Sequence, residues 1–179
     1  MKSLHSKIDN WFVRSGYKLS RVFAIIFGII WGIDGYLKFQ NNLAGSLSDM
    51  ISGAAQGQPS WLQPGFSFWT TQAASNPVFW TYLVGALELS LAFALIAGFL
   101  RKTAYSGGFI LSLFIWAVPE GFGGAYGPGA TDIGTGIVYA MTFLFLLMLN
   151  ASHGTDPYTL DARIEKKVSW WKALAELKY

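Results

Sequence analysis

The chain has 179 residues, enough for about one domain. Hydrophobic residues make up 53% of it and charged residues only 13%, where about 25% charged is usual for a soluble domain, so a free-standing water-soluble monomer is not expected. There is no cysteine, which excludes disulfides, thiol relays, iron–sulfur clusters and Cys-based metal sites, and two histidines leave little for haem or zinc.

Residues 1–20 come first and are mostly polar. Leu4, Ile8, Trp11, Phe12 and Ser15 recur there at helical spacing, which predicts an amphipathic helix over 4–18 lying in the membrane interface. A bilayer crossing takes about 20 mostly apolar residues. Four stretches are predicted to cross: 21–39, 79–100, 103–118 and 133–149, the third short unless Arg101 and Lys102 snorkel at its start. The first run follows a polar segment and lacks a small-residue cleavage site, so it does not read as a signal peptide.

The connection 40–78 carries one charge, Asp49, and is crowded in its second half by Trp61, Phe66, Phe68 and Trp69. It is expected to lie on the membrane or to cap the bundle. The last segment, 151–179, places Ile164, Val168, Trp171 and Leu174 on one stripe, predicting a second interfacial helix from Asp161 to Leu177. The fold expected is an all-α, four-span transmembrane bundle over 21–150, flanked by interfacial helices.

Basic residues are retained on the cytoplasmic side of a membrane. Five precede the first span, Arg101 and Lys102 form the turn between the second and third, and five follow the fourth. Lys38, at the outer end of the first span, is the one exception among thirteen. Both termini are therefore expected in the cytoplasm of a multi-pass cell-membrane protein. The positive charge faces anionic lipid, and no nucleic-acid partner is expected.

Charged side chains inside a span cost about 2.5–3.5 kcal/mol each on insertion scales. Here they are Asp34, Lys38 and Glu88, with Asp132 at the mouth of the fourth span. Asp34 and Lys38 are four apart and can pair on one helical face. Two readings stand. In the first, an Asp34–Lys38 pair and a Glu88 hydrogen bond hold the bundle together. In the second, the three line a polar pocket open to the outside, where carboxylates handle protons and Lys38 attracts an anion. Gly28-x-x-x-Gly32 is a small-xxx-small motif for close helix packing.

The most distinctive segment runs from Pro119 to Gly136, with seven glycines between Gly121 and Gly136. Pro119 is expected to end the third span, and Thr131 or Asp132 to cap the fourth. A nucleotide loop does not fit, because the third glycine of that motif falls at Tyr126 and no strand precedes it. A potassium filter fits no better. A structural re-entrant turn and a substrate-binding lip both remain, the lip using Glu120, Asp132 and free N–H groups around Gly123, Gly124 and Tyr126.

That hairpin, Pro-Glu-Gly-x-Gly-Gly-x-Tyr-Gly-Pro-Gly-x-Thr-Asp-x-Gly-Thr-Gly, resembles the signature of DoxD within the DoxX-like membrane proteins. The segments Gly-x-Asp34-Gly-x-x-Lys38-Phe and Gly-x-Leu-Glu88-x-Ser are similar too, and the resemblance covers roughly residues 20–165. It implies the membrane subunit of an archaeal thiosulfate:quinone oxidoreductase, which joins thiosulfate into tetrathionate and passes the electrons to a membrane quinone. It implies a separate DoxA-like companion chain and an association with a terminal quinol oxidase. Lys38 is then expected to receive thiosulfate, Asp34 and Glu88 to exchange protons, and Trp31 and Trp116 to contact the quinone ring. No haem, iron–sulfur or metal cofactor is expected. The alternatives are a non-catalytic subunit of a respiratory oxidase and a small proton-linked transporter.

Overall fold

The computed structural model describes residues 2–40, 46–126, 132–154 and 156–177, except the side chains of 2–7, 12, 13 and 153. Hairpin residues 127–131, including Thr131, and the side chains of Leu4 and Phe12 lie outside the described set. Among the described residues there is no strand. Helix α1 spans Lys2–Leu37, α2 Ser46–Ala54, α3 Gln63–Ser75, α4 Pro77–Ala97, α5 Arg101–Ala117, α6 Thr135–His153, α7 Leu160–Glu165 and α8 Lys172–Ala175.

Among the described residues, three helical segments are long and apolar enough to cross a membrane: Arg14–Leu37, Pro77–Ala97 and Thr135–Ser152. Helix α5, at 17 residues, is shorter than these. The expected break between an interfacial helix and the first span is absent, because α1 runs through both without interruption. No proline interrupts residues 2–37, and the Ser15–Gly16 pair is accommodated within the helix.

Helices α1 and α4 lie antiparallel along their length, and α5 and α6 do the same. The first pair approaches closely at the predicted motif. A Cβ on Gly28 would sit 2.8 Å from Ile96 Cγ1 and 3.1 Å from the Ala92 carbonyl oxygen, so only glycine fits there. The core is aromatic: Phe27 meets Phe143 at 4.9 Å and Tyr139 at 5.3 Å between ring centroids, with Trp31, Leu95 and Leu146 buried around them. Large apolar side chains on the outside, among them Ile26, Ile33, Phe93, Ile110 and Met148, are exposed on every long helix. A largely apolar exterior of that kind belongs in lipid or against a partner.

One end of the bundle, the hairpin end, gathers the end of α1, the starts of α4 and α6 and the end of α5. Helices α2 and α3 sit there as a cap. Ile51 and Phe66 are buried, and Trp69 packs edge-on against Phe114 of α5 at 4.8 Å.

The opposite, arginine end differs from expectation. Asp161–Leu177 is not one amphipathic helix: it breaks after α7, makes a 3-10 turn at Ser169–Trp171 and resumes briefly as α8. Nor does Arg101 snorkel. It is 4% exposed and bridges to Asp161 at 3.3 Å and also to Glu176. Asp161 accepts from the backbone N–H groups of Leu100 (2.8 Å) and Arg101 (3.0 Å), capping α5 with a carboxylate where the helix dipole favours one. Arg21, likewise buried, donates to the carbonyls of Leu95 (2.7 Å) and Ile96 at the C-terminal end of α4.

Candidate functional site

Lys38 follows the last residue of α1. Its N–H bonds to the Gly35 carbonyl at 3.2 Å and the Phe39 N–H to that of Tyr36 at 3.1 Å, so the chain has tightened from a four-residue to a three-residue repeat. That tightening takes Lys38 off the face of Asp34. The expected Asp34–Lys38 pair does not form; among the described residues Lys38 bridges to Glu88, Nζ to Oε2, at 3.6 Å.

Gly85 makes the bridge possible. A Cβ there would stand 2.8 Å from the Lys38 Cβ and 2.8 Å from the Phe39 ring, so the chain after α1 lies directly over this glycine. Glu88, three residues on along α4, is on the same face. Phe39 stacks on Tyr82 at 5.0 Å and completes the contact. Glu88 is 3% exposed, while the Lys38 side chain keeps 30% of its surface open. Asp34 is half-buried on α1, near enough to Glu88 for the two carboxylates to interact, and accepts a 3.4 Å hydrogen bond from the Tyr139 hydroxyl of α6. Asp34, Lys38 and Glu88 are thus gathered at the hairpin end, together with a tyrosine that the sequence did not single out.

The glycine-rich hairpin is tied down by its own polar groups. Glu120 accepts from the Gly136 N–H at 2.8 Å and caps the start of α6 from across the loop. Of the two residues expected as that cap, Thr131 lies outside the described residues, and Asp132 Oδ1 instead closes a short turn onto the Gly134 N–H at 2.8 Å. The Trp116 indole donates to the Ile133 carbonyl at 2.7 Å and packs edge-on against Phe122 at 5.2 Å. Gly123, at φ +86°, comes so close to the returning strand of chain that a Cβ would lie 2.2 Å from the Ile133 oxygen. Tyr126 is exposed and donates to the Phe122 carbonyl. Among the described hairpin glycines only Gly124, at φ +103°, has open space beside it. The structural-turn reading therefore accounts for Glu120, Trp116, Gly123 and Asp132.

Trp31 does not line an opening. It is 1% exposed, sits 5.5 Å from both Tyr139 and Phe143, and its Nε1 finds no hydrogen-bond partner among the described residues. A ring contact with a diffusible ligand is not available to it. A cleft of about 890 Å³ lies instead between α4 and α5, lined by Leu87, Leu91, Phe93, Phe99, Ile110 and Phe114 among others. It begins beside Glu88, at Leu87, and runs toward the arginine end.

Among the described residues no group of three or more His, Cys, Asp or Glu is placed to hold a metal ion. Comparison of the chain with protein-family models, with curated proteins and with solved structures returns no match.

Proposed function

We propose that α1, α4, α5 and α6 all cross the bilayer, with both termini in the cytoplasm, and that the chain is the membrane subunit of a thiosulfate:quinone oxidoreductase. The charge distribution supports this orientation. The arginine end carries Arg21, Arg101, Lys102 and the basic residues of 163–172, whereas at the hairpin end Lys38 stands without another lysine or arginine in 40–78 or 119–132. The short α5 reaches the outer face through the turns of 118–123 that follow it.

The observation that carries the functional reading is the Lys38–Glu88 ion pair, with Asp34 and Tyr139 beside it, at the outward end of the bundle. An arriving dianion competes with Glu88 for the partly open Lys38 ammonium. Once released, the buried Glu88 carboxylate is free to take up a proton. In the reaction two thiosulfates join through a new sulfur–sulfur bond and lose two electrons, which reduce one quinone; the quinone also takes up two protons. Glu88 and Asp34 are the groups placed to pass those protons. The α4–α5 cleft has the volume and apolar lining suited to a lipid-soluble ring, a role that Trp31 and Trp116 do not fill. The substrate identities rest on the resemblance of the hairpin to DoxD.

The test is thiosulfate-dependent reduction of a quinone analogue by the purified chain, alone and with its companion subunit. Activity is expected to fall by at least tenfold in Lys38→Ala and Glu88→Ala. Activity indifferent to Lys38→Ala, Asp34→Ala and Glu88→Ala refutes the assignment. A second reading, a non-catalytic subunit of a respiratory oxidase, is favoured by the hairpin, whose polar groups are spent on its own backbone. Oxidase assembly lost on deletion of the chain, with no thiosulfate activity in either preparation, would select it.

A further inference from the structure

The arginine end holds a buried charge cluster that the proposed chemistry does not use. Asp161, with no exposed surface, accepts from four N–H donors: the backbones of Leu100 and Arg101, Arg101 Nε at 3.3 Å and Trp171 Nε1 at 2.8 Å. Arg101 turns its Nη2 to Glu176, which is also fully buried. Asn150 of α6 brackets that glutamate, donating to the Ala175 carbonyl at 3.0 Å and accepting from the Leu177 N–H at 2.9 Å. Lys102 Nζ and Thr103 Oγ1 hold the carbonyls of Ala173 (2.8 Å) and Leu174 (3.1 Å). Residues 172–177 are thereby fastened across the ends of α5 and α6.

The charges in contact with Glu176 do not balance. Its one cationic partner, Arg101, also bridges to Asp161, and the Glu165 carboxylate of α7 stands close enough to Glu176 to interact with it. Arg21 of α1 interacts with Arg101, Asp156 and Asp161 but makes no bridge to Glu176. From α6 comes only the neutral amide of Asn150, and from α8 itself only Lys172, whose carbonyl accepts the Glu176 N–H at 2.8 Å. A buried excess of negative charge is expensive and is relieved by taking up a proton.

We infer that Glu176 carries a proton while it is docked against Arg101, so that residues 172–177 form a clasp which loosens as the pH rises. A neutral carboxyl still accepts from the guanidinium and from Asn150, so protonation keeps the contacts and removes the surplus charge. Burial pushes the Glu176 carboxyl up from 4.5 to about 7, against the pull of Arg101 and with the help of Glu165 and Asp161. The sign follows by linkage. The docked state binds the proton more tightly, so docking is at its strongest below the ordinary glutamate value and weakens as pH climbs toward and through about 7.

Hydrogen exchange on the full chain in micelles, corrected for the intrinsic pH dependence of exchange, reads this directly. Protection of residues 171–177 is expected to fall about tenfold between about pH 6 and about pH 8.5, with α5 and α6 unchanged. Glu176→Gln, which imitates the protonated form, is expected to abolish the fall. Protection that stays level in the wild type, or a Glu176→Gln profile that follows the wild type, overturns the inference. Should that variant fail to fold, the less buried Glu165→Gln serves in its place: it is expected to shrink the fall, and an unshrunken fall counts against the clasp.

Discussion

Lys38 and Glu88 face each other at 3.6 Å across Gly85, the ammonium partly open to solvent and the carboxylate sealed. That unequal burial makes the two halves of the pair unequal in consequence. Removing Lys38 strands a charge in the protein interior, whereas removing Glu88 leaves an ammonium that can turn to water. Lys38→Met is expected to lower stability by about 2 kcal/mol, under the range for a fully buried pair, and Glu88→Gln by about 1 kcal/mol. Thermal unfolding in detergent checks the order of the two; equal losses would show that Glu88 does not depend on Lys38.

Glu120 is expected to matter to folding before it matters to substrate. Loss of its bond to the Gly136 N–H in Glu120→Ala uncovers the start of α6, at a cost of about 1–2 kcal/mol. Glu120→Gln keeps an acceptor oxygen and should lose less than half of that. A melting-temperature series decides it, and Glu120→Ala with wild-type stability would return the residue to the substrate lip.

Two glycines should respond in opposite directions. Gly28→Ala drives a methyl into Ile96, Leu95 and the Ala92 carbonyl, and should separate α1 from α4 at a cost of about 1–3 kcal/mol. Gly107 has nothing within 4 Å of its would-be Cβ, and Gly107→Ala should stabilise α5 by up to about 1 kcal/mol. If the two changes have the same sign in chemical denaturation, the packing described for α1 and α4 is wrong.

Asp161 is expected to be the most sensitive polar residue at the arginine end. Asp161→Asn keeps the shape but replaces one of two acceptor oxygens by a donor facing N–H groups, so about 3 kcal/mol should be lost. Tryptophan emission provides a local readout, since the Trp171 indole donates to this side chain. An unchanged spectrum and stability would mean that α5 does not need this cap.

The spans were legible because their signal is compositional: apolar runs near 80–100 and 133–149 place α4 and α6 within a few residues. The gathering of Asp34, Lys38 and Glu88 at one end was legible too, from counting residues along antiparallel helices. Their pairing was not. It depends on a one-residue tightening at Lys38 and on the absence of a side chain at Gly85, and neither leaves a trace in spacing. The stripe Ile164, Val168, Trp171 and Leu174 reads as a helix only while Asp161 and Glu176 are taken for solvated charges. Their partner Arg101 lies 60 and 75 positions away, and burying those bonds breaks the helical course. Hairpin glycines suggested ligand space for the same reason: a positive φ used to bring backbone against backbone looks, in one dimension, like one used to admit a guest.

Helix α1 is a single rod of 36 residues, about 54 Å at 1.5 Å per residue, against a hydrocarbon thickness of about 30 Å. Arg14–Leu37 is the part long and apolar enough to cross, and the dozen residues before it lengthen the same helix by about 18 Å. Trp11 and Asp34 therefore belong to one continuous helix, so the position of the first residue's backbone fixes that of the second through a single ladder of hydrogen bonds.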